Sequence, residues 1–264
     1  MSRIGDIRRT LAEGRPLQSA GLSLVHASVD GRAVRFCVNM RRDPIQRAHR
    51  AGAFYEAAEL AALRPIFPEG GTFVDVGGNV GNHTLYAAMF LGAGQVIPFE
   101  PNERAYELLV NNVLVNDLGA VVDLSHIGLG LSDRAAGGFA MEDRDRNLGN
   151  ARMLPGEGDL EVARADALLA DVTPDFVKID VEGMEIEVLN GFDGVLARCR
   201  PVFMVEVDRE NAEAFEAWLG RHRYGVLYTH ARYRRNRNHI VAGAERLEAL
   251  RAVFVPPVAE EVPA

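Results

Sequence analysis

Acidic residues at the ends of apolar runs are the first chemistry this sequence offers. Residues 176–185 read Phe-Val-Lys-Ile-Asp-Val-Glu-Gly-Met-Glu, which sets Asp180 and Glu182 just past a buried-type stretch. Two acids at alternate positions can orient a hydroxyl, remove its proton or hold a divalent ion. The plainer alternative makes Glu182 the cap of the helix that follows. Glu206 closes the apolar run 202–205 and adds a third acid in the same kind of place, on the side where an acceptor would bind. Upstream, residues 73–81 read Phe-Val-Asp-Val-Gly-Gly-Asn-Val-Gly, an apolar run entering a glycine loop. Gly77, Gly78 and Gly81 permit close backbone approach to a ligand, and Asn79 enters left-handed conformations cheaply. A helix starting near Asn82 would aim free N–H groups at that ligand. Glu100 ends the next run, roughly 20 residues on, where a carboxylate can accept hydrogen bonds from both hydroxyls of a ribose. Pro101 and Asn102 follow it. At the third such edge, Ser125-His126-Ile127-Gly128 supplies backbone groups and an apolar side chain to bracket an adenine, although a lone histidine like His126 is more often structural.

These residues need a scaffold that brings strand ends together, and the apolar pattern describes one. Strands are expected at 72–76, 95–100 and 121–127, with helices at 84–90 and 103–115 between them, a βαβαβ rhythm that implies right-handed crossovers and a parallel sheet covered on both faces. Ahead of it, residues 23–39 form a hairpin turning at Asp30-Gly31, and 54–67 a helix ended by Pro65 and Pro68. Residues 132–158 are rich in Gly, Asp, Arg and Asn and are expected as a long excursion with one short strand at 138–141. Regularity returns with strands at 175–180 and 201–207, a helix through 185–189 closed by Gly191, and a helix at 211–219. Strands at 224–228 and 252–255 are expected to end the fold as an antiparallel pair.

A chain of 264 residues can bury one sizeable α/β core. Its net charge of -8 repels a phosphate backbone, so nucleic acid is not an expected partner. Cys37 and Cys199 are too few and too far apart for a disulfide framework or a CxxC metal site. Residues 1–14 carry no signal-like apolar run, and no stretch approaches the roughly 18 apolar residues of a membrane span. A cytoplasmic protein without membrane insertion is expected.

The glycine spacing departs from G-x-G-x-x-G, and Asp75 would repel a diphosphate, which argues against a nicotinamide-dependent oxidoreductase. The same acid suits the ammonium group of S-adenosylmethionine. Four blocks, FVDVGGNVGNHT, VIPFEPN with RAYELLVNNVLVN, VKIDVEGMEIEVLNGF and RPVFMVEV, resemble the FkbM-type methyltransferases, a Rossmann-like class I family. The resemblance covers residues 72–207. It implies a mostly parallel seven-stranded sheet with helices on both faces, with S-adenosylmethionine over the first two strand ends. It also implies O-methylation of a hydroxyl in a sugar, glycan or polyketide-like product. By resemblance Asp75, Gly77, Asn79, Gly81 and Glu100 contact the donor, Asp180 and Glu182 serve the acceptor, and Tyr55-Glu56 closes over the donor. Gly78 stands where the family usually has Ala. Residues 1–70 would be a hairpin and lid-like helix packed on the core, 71–256 the methyltransferase domain, and 257–264 a flexible tail. Deprotonation falls to Asp180, with His83 and His126 as alternatives. Asn147, in the stretch Arg144-Asp145-Arg146-Asn147, is expected to bind an acceptor hydroxyl, with a charged surface loop as the alternative for that stretch. The basic run Arg232, Arg234, Arg235 and Arg237 is either an anion contact or a solvated face. A degenerate fold serving as a scaffold is the non-enzymatic rival. N-methylation is disfavoured because the fourth strand lacks an Asn-Pro-Pro-aromatic motif.

Overall fold

In the computed structural model, which describes residues 9–10, 13, 21–142, 147–156, 158–231 and 235–257, Asp30 and Gly31 both take positive φ, 48° and 77°. That pair of conformations suits a two-residue hairpin turn with the twist its strands need. It joins β1 (Ser23–Val29) to β2 (Arg32–Val38), with Val29 opposite Arg32. Helix α1 (Pro44–Arg50) follows, capped by the Asp43 side chain on the Gln46 N–H with Pro44 in its first turn. The expected helix at 54–67 is shorter, α2 (Ala57–Ala62). Pro65 disfavours helical backbone at the residue before it, yet Leu63, Ile66 and Phe67 remain buried in the turns beyond.

The central rhythm appears as β3 (Thr72–Val76), α3 (Asn82–Phe90), β4 (Gln95–Phe99) and α4 (Glu103–Val115). The strand expected at 121–127 is absent. Only Val122 makes an isolated parallel bridge, to Val96. Asp123 accepts from the Ser125 N–H at 2.9 Å, and this local Asx bond turns the chain away from extended pairing. The short strand expected at 138–141 is present as part of β6 (Ala136–Met141), but it belongs to a built sheet with β5 (Leu129–Leu131), β7 (Met153–Pro155) and β8 (Leu160–Ala163), in the order β5-β8-β6-β7. The chain returns through α5 (Ala165–Leu168), β9 (Phe176–Ile179), α6 (Glu185–Asn190), α7 (Asp193–Arg198), β10 (Val202–Asp208), α8 (Ala212–His222), β11 (Tyr224–His230), β12 (Asn236–Gly243) and α9 (Ala244–Val253). The strand expected at 252–255 is the end of α9 and the segment after it. The antiparallel partner of β11 is β12, whose buried half is Ile240–Gly243.

The main sheet has six strands in the order β11-β12-β10-β9-β3-β4, a correction to the expected seven. Strands β4, β3, β9 and β10 run parallel, and β12 and β11 antiparallel. The chain leaves β3 toward β4 on one side and resumes at β9 on the other, so the crevice above β3 and β9 is a topological switch point. Alternation assigns the two cores. Phe73, Val96, Phe176, Val202 and Met204 face one cluster, shared with Phe36 and Phe54 of the N-terminal segment. Val74, Ile97, Val177, Phe203 and Val205 face the other, with Trp218. Asp75, Lys178 and Glu206 follow in the first register, so the sheet projects them together on one face. No helix among the described residues is long and apolar enough to cross a membrane.

Candidate active site

The loop after β3 wraps the end of β4: the N–H groups of Gly77 and Gly78 both donate to the Phe99 carbonyl, at 2.9 and 3.0 Å. A methyl group on Gly77 would meet the Asp180 carbonyl oxygen at 1.8 Å, and one on Gly78 or Gly81 would press on Leu109 of α4 at 2.9 or 3.2 Å. The glycines are therefore required by the loop's own packing on β9 and α4. Sequence reasoning ascribed them to ligand approach alone. Asn79 adopts the expected left-handed backbone, φ 49°. Its N–H donates to Glu100 Oε2 and the Asn102 N–H to Oε1, each at 2.7 Å. Burial pushes the Glu100 carboxyl up to about 7 against those two donors, which favour its charged form.

Glu100, Pro101 and Asn102 line a cleft open to solvent together with Gly77 and Asn79. Its opposite wall is Gly130, Leu131, Met141 and Met153, from the small sheet. His126 and Ile127 do not line it. His126 stacks on Phe99 with ring centroids 5.1 Å apart, and Ile127 is buried in the core. The strand that would have carried them to the cavity edge is missing, and β5 supplies the wall in its place.

Asp75 is fully buried and lines neither this cavity nor the next. Its carboxylate accepts from Thr84 Oγ1 at 2.7 Å and lies 3.3 Å from Lys178 Nζ. Lys178 also donates to the Gly77 carbonyl at 2.6 Å, tying β9 to the loop. Burial alone would lower the Lys178 ammonium, but Asp75 and Asp180 outweigh it and hold it above its ordinary value. The structure thus turns Asp75 toward the loop's support rather than toward a ligand ammonium group.

A second, larger cavity adjoins the first, and Gly77, Asn79, Gly149, Asp180 and Glu182 line both. Glu206, Asn147, His83, Tyr55 and Glu56 also line it, with Lys178 and Arg235 as its basic groups. Asp180, Glu182 and Glu206 each bring an oxygen within 4.8 Å of the other two. Burial, then Asp180 and Asp208, raises Glu182 to about 7. Burial, then the charge of Asp180, lifts Glu206 far above the usual carboxylate range. Burial, then Lys178, pushes His83 down to about 4, leaving a neutral imidazole. Glu182 makes no side-chain helix cap: α6 begins after Met184 with none. Asn147 Oδ1 accepts from the Gly149 N–H at 3.0 Å, so it shapes the short turn at Leu148–Asn150 while standing at the cavity.

The cavity roof is latched from the N-terminal segment. Buried Asp43 accepts from the Leu148 N–H at 3.0 Å, and Asn82 holds the Tyr55 backbone through its N–H at 3.0 Å and its carbonyl at 2.9 Å. Sequence reasoning missed Lys178, Asp43 and the methionine wall. Lys178 carried a signal, a lone charge inside an apolar strand. Of the basic run, Arg235 reaches Asp208 at 3.5 Å and lines the second cavity, and Arg237 is exposed on β12. Arg144, Asp145, Arg146, Arg232, Arg234 and residues 258–264 lie outside the described residues.

A switch-point crevice with a glycine loop after one strand and a buried carboxylate ending the next defines a Rossmann-like α/β domain. Residues 75–234, well over half of the chain, match the family model for the methyltransferase FkbM domain. The chain belongs to that family, and its fold is the Rossmann-like class I methyltransferase fold. It is 26% identical over 163 residues to methyltransferase sdnD of Sordaria araneosa, covering 48% of this chain and 62% of that one. It is 27% identical over 151 residues to methyltransferase 1 of Beauveria bassiana, covering 48% and 60%. The chain thus spans about three fifths of the length of these curated relatives. Among solved structures, the FkbM methyltransferase of Methylobacillus flagellatus superposes with TM-score 0.49 at 17% identity, over 71% of this chain and 46% of that one.

Proposed function

We propose that this protein is an S-adenosylmethionine-dependent O-methyltransferase, acting in the cytoplasm on a hydroxyl of a sugar, glycan or polyketide-like small molecule. The observation that carries this reading is Glu100. Each of its oxygens accepts one backbone N–H, and the remaining lone pairs are available to ribose hydroxyls in the wall of the first cavity. Pro101 and Asn102 extend that wall, and Leu131, Met141 and Met153 offer an apolar surface to a base. Bound there, S-adenosylmethionine would supply a methyl group already activated on a sulfonium sulfur.

The chain's own task is then to place an acceptor and take its proton. Asp180 and Glu182 stand where the two cavities meet, so an acceptor hydroxyl in the larger cavity would approach the donor between them. As the O–C bond forms and the S–C bond breaks, the hydroxyl proton passes to Asp180. The carboxylate-lined wall and the net charge of -8 favour a small acceptor over nucleic acid.

Calorimetry with S-adenosylhomocysteine and with NAD tests the reading. Micromolar binding of the former that Glu100→Ala removes, with no binding of NAD, is the expected result. NAD binding would overturn the proposal in favour of an oxidoreductase, and no binding of either in favour of a scaffold.

A further inference from the structure

Arg152 joins three parts of the molecule. It stands between Ala151 and Met153, which both line the donor cleft that Glu100 also lines, and it directly precedes β7. Its carbonyl accepts from the Glu142 N–H at 2.8 Å, which continues the pairing of β7 with β6. Its guanidinium leaves the small sheet, and Nη2 donates to Asp208 Oδ2 at 2.6 Å, at the end of β10. There it also lies beside Gly183, where an added methyl group would stand 3.5 Å from Nη2. Glu182 and Gly183 take positive φ, 49° and 100°, in the turn after β9, and Glu182 lines both cavities.

Exposed ion pairs contribute little, because water screens them and both side chains lose freedom. This one is different: Asp208 is buried, and the Arg152 side chain is only 31% exposed. A short charge-assisted bond to a desolvated carboxylate is among the stronger polar contacts in a protein. Asp208 is itself fixed, since its N–H donates to Glu185 Oε1 at 2.8 Å, and Asn211 Nδ2 reaches that same oxygen at 3.0 Å and the Gly183 carbonyl at 3.3 Å. The bridge therefore ends on a block made of β10 and the Glu182 turn.

The other end of the bridge is the part that needs support. Strand β7 has three residues at the edge of the small sheet, and Leu154 and Pro155 are exposed, so packing supplies little of the force that holds Met153 in the cleft wall. Asp43 already anchors the same segment at Leu148. Arg152 anchors it four residues further on.

We infer that Arg152 is a positioning residue for the donor: its bridge to Asp208 fixes the Ala151–Met153 wall of the cleft and ties that wall to the turn carrying Glu182. Arg152 lines neither cavity, so it acts through the wall and the turn without touching a ligand. The inference rests on the reading of this cleft as the donor site.

The test is calorimetry with S-adenosylhomocysteine on the full chain, at a temperature where urea unfolding shows every variant to be folded. Arg152→Met is expected to weaken binding by about tenfold, within the range that residues remote from a ligand impose through a connecting network. Asp208→Asn should weaken it by a similar factor, and the double variant by no more than the larger single loss, because both changes remove one bridge. Arg200→Met breaks a comparably covered pair, with Glu245 at 2.9 Å, beyond the opposite end of β10, and should leave the affinity unchanged. Wild-type affinity in Arg152→Met, losses that add in the double variant, or an equal loss in Arg200→Met would overturn the inference while the donor reading stands. Absence of binding by the wild-type chain would overturn the donor reading and this inference with it.

Discussion

Replacing Glu100 by Gln should flatten a pH dependence of stability that the buried carboxyl imposes. Glu100 ionises near 7 in the folded chain against an ordinary 4.5. Between those pH values the unfolded chain releases the proton while the folded chain keeps it. The stabilisation is therefore complete below pH 4.5 and lost as pH rises through 7. At about 1.4 kcal/mol per pH unit, the loss amounts to about 3 kcal/mol. The amide of Gln keeps the shape but turns an NH₂ toward one of the two N–H donors, from Asn79 or Asn102. That leaves a buried donor unpaired, at a cost of about 1–3 kcal/mol. Urea denaturation from pH 5 to pH 8 should then show Glu100→Gln less stable than wild type at pH 5, with the gap closing as pH rises. Glu182 and Glu206 also contribute falling stability, but equally to both proteins, so the difference isolates Glu100. Curves that stay parallel across the range would refute the placement of Glu100 as a buried, proton-holding carboxyl. Ligand binding adds an independent reading. Ribose hydroxyls donating to Glu100 favour its charged form, so S-adenosylhomocysteine binding near pH 6.5 should release protons, seen as a binding enthalpy that varies with buffer ionisation enthalpy.

Asp180→Asn should lower turnover by about 10²–10⁴-fold, the usual worth of a positioned base, while S-adenosylhomocysteine still binds by calorimetry. Lys178→Met should cost about 3–5 kcal/mol in denaturant unfolding, because it leaves fully buried Asp75 without its cation. Asp43→Ala should cost about 2 kcal/mol by the same measurement, since it removes a helix cap and strands the Leu148 N–H. The Asp43 change should also raise proteolytic cleavage near residue 148 by loosening the roof.

What could be read from the sequence divides along the range of the interactions involved. β3 and α4 were legible to the residue, because a five-residue strand bounded by glycines and a thirteen-residue amphipathic helix carry their signals within themselves. The Asp30-Gly31 turn was equally local. Of the small sheet only β6 was legible: β5 and β7 have three residues each, β8 has four, and the pairing of β5 with β8 joins segments about 30 residues apart. The missing strand at 121–127 has the right composition and is undone by one Asx bond at Asp123. Glu100, Asp180, Glu182 and Glu206 were legible as candidates because each follows an apolar run. Asp75 was visible too, but its destination was not, since that depends on which strand lies beside β3.

Register supplies that destination. Asp75 stands opposite Lys178 across β3 and β9, and Met204 stands opposite Lys178 across β9 and β10. Because side chains alternate faces, Glu206, two residues after Met204, projects on the same face as Asp75 and Lys178. One face of the sheet thus carries a buried ion pair, and one step nearer the C-terminal edge a cluster of acids. The ion pair lets Lys178 clamp the Gly77 carbonyl, and the Gly77 loop in turn presents Asn79 to Glu100. A substitution at Lys178 should therefore weaken donor binding through the loop as well as stability. Lys178→Met measured at a temperature where it remains folded should show reduced S-adenosylhomocysteine affinity, although Lys178 does not line the donor cavity. Unchanged affinity in the folded variant would mean that the loop holds its shape without the clamp, and that Asp75 and Lys178 serve stability alone.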